Sequence, residues 1–311
     1  MRSLVTGVAG FIGSTLAETL VERGDRVIGI DSFLDYYDRA IKERNLETLA
    51  TGDNFELVEG ALQDVNVHEI LGRCDRVFHL AAQAGVRASW GTEFSIYTTN
   101  NILATQRLLE AAVDTDIEAF VFASSSSVYG DKAELPMRED VPLHPVSPYG
   151  VSKLAAEKLV ELYHVNHELH TASLRYFTVY GPRQRPDMAF HRLLRSARTG
   201  GTFLLFGDGR QTRDFTFVTD AVAATIAAAE KSRAGAVYNI GGGSRVSMLD
   251  VIETIESVTG KKLRIDSKPW QKGDMRDTYA DTSAARSDLD YRPHTALRDG
   301  LSLEWEWMQS L

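Results

Sequence analysis

The chain has 311 residues, a formal net charge of −9 and a hydrophobic content of 43%, which is typical of a globular protein in water. The acidic charge disfavours nucleic acid as the main partner, and no apolar run approaches the ~20 residues that a membrane-spanning helix needs. Cys74 is the only cysteine, so we expect no intrachain disulfide and a cytoplasmic location. We also expect no metal site, because His164, His167 and His170 occur in a mixed polar helix.

Strand-like and helix-like segments alternate through the first 177 residues. Continuous apolar runs such as residues 119–123 fit strands that are buried on both faces. This alternation predicts βαβ units and an α/β fold, a Rossmann-type doubly wound parallel sheet. The predicted strands are residues 3–6, 26–31, 55–59, 76–81, 119–124 and 172–177. The predicted helices are residues 12–23, 67–71, 94–113 and 149–167.

The pattern changes after residue 177, where a polar, proline-punctuated loop covers residues 181–187. We predict a Rossmann domain of residues 1–177 with about 215–241, and a smaller α/β substrate lobe of about 178–214 and 242–311. The predicted elements here are a helix near 188–199, a segment 202–207, a segment 215–218, a helix from Asp220, a strand 237–240, a helix 247–259, a strand 262–265 and a C-terminal helix.

A glycine-rich loop follows the first predicted strand and opens the first helix. Its glycines, Gly7, Gly10 and Gly13, let the backbone turn tightly and approach a pyrophosphate, which the helix N-terminus attracts. Asp31 ends the second predicted strand, where a carboxylate accepts hydrogen bonds from a ribose 2′-hydroxyl and repels a 2′-phosphate. The loop therefore indicates a dinucleotide site that favours NAD over NADP. The alternative for Asp31 is a cap or turn residue.

Tyr149 and Lys153 are four positions apart at the start of a predicted helix, so they share one face. An ammonium beside a phenol favours the phenolate and brings a tyrosine nearer to the pKa that a general base needs. A run of serines, Ser124–Ser127, follows the fifth predicted strand, where carboxyl ends of strands line the ligand crevice. Its hydroxyls are candidates for bonding a substrate oxygen, the alternative being a serine-rich turn. The next strand end adds Tyr176, Phe177 and Thr178 to the same crevice.

Several motifs occur together along nearly the whole chain. They are Thr6-Gly7-x-x-Gly10-Phe11-Ile12-Gly13, His79-Leu80-Ala81-Ala82, Asn100-Asn101, the segment from Ser124 to Gly130, Tyr149-x-x-x-Lys153, Arg175-Tyr176-Phe177 and Tyr180-Gly181-Pro182. In this combination the chain resembles the extended short-chain dehydrogenase/reductase family, in the branch that modifies nucleotide sugars.

The resemblance implies a tightly held NAD that is reduced and reoxidised within one turnover. It implies that Tyr149 is the base, that Lys153 holds the nicotinamide ribose and that Ser125 bonds the reacting oxygen. Ala61 departs from the pattern, because the family often places an adenine-binding Asp there. The implied cofactor contacts are Gly7, Gly10, Phe11, Ile12, Gly13, Asp31, Leu80, Ala81, Ala82, Asn100, Tyr149, Lys153 and Tyr176.

Two regions bear on which sugar is bound. Dehydratases of this branch carry Asp-Glu where this chain has Ser126-Ser127, and decarboxylases carry Glu at Ser127, so both reactions are disfavoured. Arg183 and Arg185 enter the loop that should cover the sugar, and arginine binds carboxylates in bidentate fashion. The alternative is that these arginines bind diphosphate or cap the next helix.

Three loops closely resemble those of UDP-glucuronic acid 4-epimerases: residues 85–91, 180–190 and 213–216. The expected reaction is interconversion of UDP-glucuronic acid and UDP-galacturonic acid through transient oxidation at C4, without decarboxylation. The implied substrate contacts are Arg87, Ser125, Ser126, Ser127, Tyr149, Thr178, Arg185, Arg213 and Arg276.

Other readings stay open. A UDP-glucose/UDP-galactose 4-epimerase has the same fold, and a UDP-glucuronate decarboxylase is less favoured. A redox-sensing NAD-binding regulator is a third hypothesis, against which the full Ser/Tyr/Lys set argues. The helices predicted at 94–113 and 149–167 resemble the pair that forms a four-helix dimer interface in the family, so a homodimer is expected.

Overall fold

Thirteen strands and eleven α-helices build the chain, and the structure, a computed structural model, describes residues 1–311. The strands are β1 (Arg2–Thr6), β2 (Arg26–Asp31), β3 (Phe55–Glu59), β4 (Arg76–His79), β5 (Ala119–Ser125), β6 (Thr171–Tyr176), β7 (Val179–Tyr180), β8 (Thr202–Phe206), β9 (Thr212–Asp214), β10 (Thr216–Phe217), β11 (Ala236–Ile240), β12 (Arg245–Ser247) and β13 (Arg264–Lys268). The helices are α1 (Phe11–Glu22), α2 (Arg39–Leu46), α3 (Val67–Leu71), α4 (Phe94–Tyr97), α5 (Ala104–Val113), α6 (Pro148–His167), α7 (Ala189–Thr199), α8 (Val218–Lys231), α9 (Met248–Thr259), α10 (Ser283–Leu289) and α11 (Leu297–Ser310).

Seven parallel strands form the central sheet in the order β11-β6-β5-β4-β1-β2-β3. The chain first builds outward from β1 to β3, then returns to β4 beside β1 and builds toward the opposite edge. This reversal between β1 and β4 is the switch point at which doubly wound sheets bind ligands. The predicted Rossmann-type α/β class is confirmed.

Helices cover both faces of the sheet. This explains why the sequence of β5 does not alternate between apolar and polar residues. Phe120 and Phe122 pack into the apolar cluster that contains Leu108 of α5. Val121, which points to the opposite face, packs into the cluster that contains Leu16 of α1. Each buried side chain of this size contributes roughly 1.5–3 kcal/mol by leaving water. A strand buried on both faces is therefore apolar throughout.

The six predicted strands of the first half are present, with small corrections at their ends. The strand predicted at 76–81 ends at His79. The reason is that the Ala81 amide donates to the Thr6 hydroxyl (3.1 Å) instead of continuing the ladder. The helix predicted at 94–113 is interrupted, because a π-helical stretch, Thr98–Leu103, separates α4 from α5. The side chain of Asn101 in that stretch bonds to the backbone of Gln83.

In the second half of the chain, the strand predicted at 262–265 is shifted to β13, because its pairing with β8 begins at Arg264 opposite Thr202. The helix predicted from Asp220 begins two residues earlier, at Val218, and the segment predicted at 215–218 contributes only β10 as a strand. Helix α2 was not predicted, because its residues are mostly charged and its apolar face is short.

Most of the smaller pairings lie outside the central sheet. β13 pairs with β8 in parallel, β12 pairs with β9 antiparallel, and β10 pairs with β7. By contrast, β11 joins the central sheet beside β6. None of the helices is both long enough and apolar enough to cross a membrane.

Candidate active site

Two adjoining cavities lie at the carboxyl ends of the central strands. The inner cavity has a volume of about 220 Å³ and extends along the glycine-rich loop from Asp31 to Lys153. The outer cavity, about 620 Å³, extends between the sheet and the later part of the chain. Both are lined by Tyr149, Tyr176 and Arg185. Tyr149 therefore stands where a ligand in one cavity meets a ligand in the other.

The glycine-rich loop is shaped for a close approach of backbone to ligand. Gly7 has a φ of +71°, and a Cβ atom there would lie 2.9 Å from the Cα atom of Ala81. A Cβ atom at Gly13 would lie 2.2 Å from the Gly7 carbonyl oxygen, so only glycine allows α1 to pack on the loop. Gly10 caps α1 without a side-chain bond, and Phe11 and Ile12 line the inner cavity. These features fit a pyrophosphate at the helix N-terminus.

Asp31 lines the inner cavity and also organises the loop around it. Its Oδ2 accepts from the Ala9 amide (3.1 Å), and its Oδ1 accepts from the Phe33 amide (2.8 Å). Lys42 Nζ lies 3.5 Å from Oδ1 and is buried with it. The turn role considered for Asp31 is thus present, and each carboxylate oxygen keeps a lone pair for a ribose. Its contact with the ribose stays a prediction.

Helix α6 presents the Tyr–Lys pair from its first two turns. The hydroxyl of Ser147 accepts from the Gly150 amide (3.1 Å), and Pro148 occupies the first helical position. A serine cap followed by proline is a strong helix start, which sets where Tyr149 and Lys153 project. Lys153 is buried, with Nζ 4.5 Å from the centroid of the Phe122 ring. Burial lowers the pKa of Lys153 to about 7, although the charge of a nearby carboxylate opposes this shift.

The phenol of Tyr149 is influenced by two neighbours that favour its ionised form. Burial raises the pKa of Tyr149, while a hydrogen bond with Ser125 and the positive charge of Arg185 lower it. Ser125 is at the end of β5, where its Oγ also accepts from the Ser127 amide (3.1 Å). Tyr149 lines both cavities, Ser125 lines the outer cavity and Lys153 lines the inner one, so the three predicted catalytic residues lie on either side of the junction.

A buried polar network lies beneath this pair, and sequence reasoning missed its key member. Glu157, four residues after Lys153, receives Nη2 of Arg175 at Oε1 (2.7 Å) and Nε at Oε2 (3.2 Å). Ser124 also donates to Glu157, and Arg175 donates to the Tyr129 hydroxyl (2.8 Å). The signal for Glu157 was available, because it continues the four-residue spacing that puts Tyr149 and Lys153 on one helix face.

His79 is a structural residue rather than a proton carrier. Burial lowers its pKa to about 3, so the ring is neutral. Its Nδ1 bonds to the Thr6 hydroxyl (2.8 Å) and its Nε2 to the Thr105 hydroxyl (2.9 Å). Because Thr105 donates to the Asn101 carbonyl (2.6 Å), Nε2 must carry the ring proton. Asn101 in turn donates to the Ser152 hydroxyl (2.9 Å), which links this chain of bonds to α6.

The remaining predicted cofactor contacts also lie along the inner cavity. The predicted residues that line the inner cavity, beyond those already described, are Leu80, Ala81, Ala82, Asn100 and Tyr176.

The structure contains no group of three or more His, Cys, Asp or Glu side chains arranged to hold a metal ion.

The residues predicted to bind a sugar carboxylate line the outer cavity. They include hydroxyl side chains from two neighbouring strand ends and the guanidinium of Arg185. Arg185 donates from Nε and Nη2 to the two carboxylate oxygens of Asp187, both at 3.0 Å. The Tyr36 ring lies 5.9 Å from this guanidinium, and the Tyr36 hydroxyl donates to Asp187 (3.3 Å). The hydroxyl residues are Ser126, Ser127 and Thr178.

Two further arginines of the predicted substrate set line the outer cavity, beside Arg192, which the sequence analysis did not single out. Arg87 pairs with Asp274 (2.6 Å) and stacks 4.2 Å from the centroid of the Phe206 ring. The guanidinium of Arg213 is held by backbone carbonyls, among them that of Met275 (2.6 Å). Both cations therefore have fixed positions beside the cavity, as anion-binding residues need.

Two arginines singled out in the sequence are placed elsewhere. The side chain of Arg276 is exposed and does not line either cavity, so its contact with substrate stays a prediction without geometric support. Arg183 pairs with Glu18 of α1 (2.8 Å) and also lies outside both cavities. The diphosphate alternative for Arg183 therefore has no support from its position.

Together, a doubly wound sheet, a glycine loop at the head of α1 and a buried Tyr–Lys pair define a dinucleotide-dependent enzyme of the short-chain dehydrogenase/reductase type. The chain belongs to the NAD dependent epimerase/dehydratase family, whose model matches residues 3–241. The family and the NAD cofactor predicted from the motifs are thereby confirmed.

Similar proteins cover the whole chain. The uncharacterized UDP-glucose epimerase YtcB of Bacillus subtilis (strain 168) is 44% identical over 313 residues, covering 100% of this chain and 99% of that protein. A UDP-glucuronate 4-epimerase of Thermodesulfobacterium geofontis is 37% identical, covering 98% of this chain and 95% of that protein. The crystal structure of a Bacillus cereus UDP-glucuronic acid 4-epimerase with UDP-glucuronic acid and NAD has a TM-score of 0.97 and 42% identity, covering 100% of this chain and 99% of that one.

Proposed function

We propose that this protein interconverts UDP-glucuronic acid and UDP-galacturonic acid by NAD-dependent 4-epimerisation. The observation that carries the proposal is the position of Arg185, which lines both cavities and faces the Tyr149 phenol closely enough to lower its pKa. A cation at that point is where the carboxylate of an acidic sugar finds a partner. The similarity to UDP-glucuronic acid 4-epimerases over the full chain supports the same assignment.

The chemistry starts at Tyr149. We assign Tyr149 as the phenolate that removes the proton from the C4 hydroxyl. Ser125, which hydrogen-bonds to Tyr149 in this structure, would donate to the C4 oxygen instead once the substrate is bound. We assign Lys153, which is buried in the inner cavity, to the nicotinamide ribose. Its protonated form, which predominates below its pKa of about 7, would also favour the phenolate. Bound NAD supplies the hydride acceptor and later returns the hydride to C4. The residues named here are predicted contacts, which the geometry of the two cavities supports.

The acidic substrate raises a problem that a neutral sugar does not. Oxidation at C4 produces a β-keto acid, which loses carbon dioxide when its carboxylate bond aligns with the carbonyl π system. Ser126, Ser127, Thr178 and Arg185 all line the outer cavity. We assign them to that carboxylate, which they would hold out of alignment. A difference of ~1.4 kcal/mol between the two barriers changes the partition tenfold, so a few hydrogen bonds suffice.

After oxidation, the 4-keto sugar must turn over and present its other face before the hydride returns. The outer cavity has a volume of about 620 Å³, and its walls include Ser126 and Ser127 at the positions where dehydratases carry Asp-Glu. Space of this size suits rotation of a hexose about its diphosphate tether. Arg87 and Arg213 are the proposed partners of the diphosphate that stays in place during the rotation.

The second candidate is a UDP-glucose/UDP-galactose 4-epimerase. One observation favours it: the guanidinium of Arg185 is already paired with Asp187, so its charge is partly neutralised. The 44% identity to a protein named as a UDP-glucose epimerase points the same way. Decarboxylation is less favoured, because Ser127 offers a hydroxyl where the decarboxylases carry Glu.

We also propose the division into a Rossmann domain, residues 1–177 with about 215–241, and a substrate lobe, about 178–214 and 242–311. The pairing of β11 with β6 supports the return of the chain to the first domain. The pairings of β13 with β8 and of β12 with β9, both apart from the central sheet, support a separate lobe.

A homodimer through a four-helix bundle is proposed for the outer faces of α5 and α6. These helices pack side by side, and the amide of Gln106 donates to the hydroxyl of Tyr163 (3.0 Å) between them. Several large apolar side chains stay exposed on α4–α6, which a partner would cover. They are Ile96, Leu103, Val151, Leu162 and Val165.

The deciding experiment incubates the purified protein with UDP-glucuronic acid and resolves the products by chromatography and mass spectrometry. A product of unchanged mass at the retention time of UDP-galacturonic acid is expected. Loss of carbon dioxide would identify a decarboxylase. No conversion, with UDP-glucose converted in a parallel reaction, would move the assignment to the neutral-sugar epimerase.

A further inference from the structure

The inner cavity continues past Asp31 into a region formed by residues that follow β3. Gly60, Ala61, Leu62 and Gln63 all line it there. Because β3 is the edge strand beyond β2, this end of the cavity is remote from Tyr149, which follows the central strands. A dinucleotide with its nicotinamide beside Tyr149 and a ribose beside Asp31 therefore places its purine in this region.

The purine end lacks the side-chain acceptor that the family often provides, since Ala61 carries only a methyl group. The 6-amino group of adenine is a donor, and a donor that is removed from water without an acceptor costs about 1–3 kcal/mol. On its Leu62 and Ala104 sides, the purine end of the inner cavity is apolar. Some other oxygen must accept from this amino group if adenine is to be selected.

Gln63 supplies such an oxygen, two positions after Ala61. Its Nε2 donates to the carbonyl of Thr99 at 2.6 Å. A carbonyl cannot donate, so the amide nitrogen must face Thr99 and the amide oxygen must point away from it. No hydrogen bond within the chain ends on that oxygen, and the half-buried side chain lines the cavity. The bond to Thr99 thus holds Gln63 in a single orientation.

We propose that the side-chain oxygen of Gln63 accepts a hydrogen bond from the 6-amino group of the NAD adenine and replaces the carboxylate that is missing at Ala61. This inference rests on the cofactor site of the proposed function and adds a specificity residue to it. It makes the site selective for a 6-amino purine over a 6-oxo purine, because a purine oxygen would face the Gln63 oxygen.

The test is a competition that does not depend on turnover. The protein, with whatever dinucleotide it carries, is equilibrated with an equal mixture of NAD and nicotinamide hypoxanthine dinucleotide in large excess. It is then desalted, and the retained dinucleotides are quantified by chromatography and mass spectrometry. The native protein is expected to retain NAD in roughly fivefold to tenfold preference, the effect of one neutral hydrogen bond. Gln63→Met, similar in size but without an acceptor, is expected to bring the ratio close to one.

A second variant separates recognition from a structural role. If Gln63 only ties the loop to Thr99, then Gln63→Met weakens both dinucleotides equally and leaves the ratio unchanged, which overturns the inference. Adding Ala61→Asp to Gln63→Met places a carboxylate at the family position and is expected to restore the preference for NAD. A native protein that binds neither dinucleotide overturns the cofactor site and the proposed function together. Intact 4-epimerisation with an unchanged ratio overturns only the role of Gln63.

Discussion

Glu157 and Arg175 form a buried bidentate ion pair one helical turn beyond Lys153. Both side chains are only 3% exposed, and the shorter contact is 2.7 Å. The pair joins α6, which carries Tyr149 and Lys153, to β6, whose end contributes Tyr176 to both cavities. This buried ion pair therefore fixes the position of the catalytic helix α6 relative to the substrate-facing strand β6.

Breaking this pair should destabilise the fold. Glu157→Gln leaves the buried guanidinium of Arg175 without its counter-ion, and losses of this kind are about 3–5 kcal/mol. Urea unfolding of the purified proteins measures the difference. The matched control is Glu161→Gln on the same helix, which removes an exposed pair with Lys158 and should be nearly neutral. Equal losses of unfolding free energy in the two variants would show that Glu157 contributes no more to stability than the exposed Glu161.

Burial of Lys153 should make stability depend on pH. Its pKa falls from an ordinary 10.5 to about 7 in the folded protein. Between these values the unfolded chain binds a proton that the folded chain does not, so stability falls as pH decreases through this window and levels off below about 7. Lys153→Met removes the titrating group and with it this contribution to the pH dependence of stability.

The variant Lys153→Met should be more stable than the native protein near neutral pH and have a flatter stability profile between about pH 7 and 10. Its epimerase activity should be lost. Unfolding curves at several pH values, recorded after removal of the dinucleotide, measure the effect. A native profile that is flat over this interval would contradict the lowered pKa.

The charge and fork geometry of Arg185 should decide the preference for an acidic sugar. Arg185→Lys keeps the charge but loses bidentate binding, so we expect kcat/KM for UDP-glucuronic acid to fall by about tenfold to a hundredfold, or ~1.4–2.7 kcal/mol. Turnover of UDP-glucose, where present, should change little. The control is Arg183→Lys, because Arg183 pairs with Glu18 outside both cavities and a lysine can keep that pair. Equal losses for both sugars would argue against a carboxylate partner.

The exposed apolar face of α6 should be the dimer contact. Leu162 is 54% exposed, and a charge placed there would be buried without a partner in a four-helix interface. Leu162→Glu is therefore expected to shift the protein toward the monomer in light scattering at matched concentration. Leu303→Glu, at a similarly exposed leucine of α11, should leave the mass unchanged. A native protein that is already monomeric would refute the dimer.

The main elements of the Rossmann sheet could be read from local patterns. β5 is apolar throughout because both its faces are covered, and the start of α6 is marked by Ser147 and Pro148. Helix α2 escaped prediction, because a short helix of mostly charged residues has too little apolar periodicity. The strand β13 was displaced from its prediction, since its ends depend on pairing with β8.

The candidate site likewise contains some features that the sequence predicted and others that only the structure revealed. Spacing alone placed Tyr149 and Lys153 on one face, and the glycine loop needed only its strand–helix context. Residue type and spacing did not distinguish Arg183 from Arg185, which are two residues apart in one polar loop, and only the family resemblance singled out Arg185. The turn at Arg183, whose φ is +70°, directs the first toward α1 and leaves the second beside Tyr149.

The chemical repertoire of this protein follows from its sequence, because a glycine loop, a Tyr–Lys pair and strand-end hydroxyls are defined by residue type and short spacing. Charge pairing between distant segments depends on tertiary structure alone. Glu157 meets Arg175, Asp187 meets Tyr36 and the amide of Gln63 meets Thr99 only after the sheet has brought their loops together. Hydrogen bonds and ion pairs act over a few ångströms, so their partners are set by the packed geometry and leave no periodic trace along the chain.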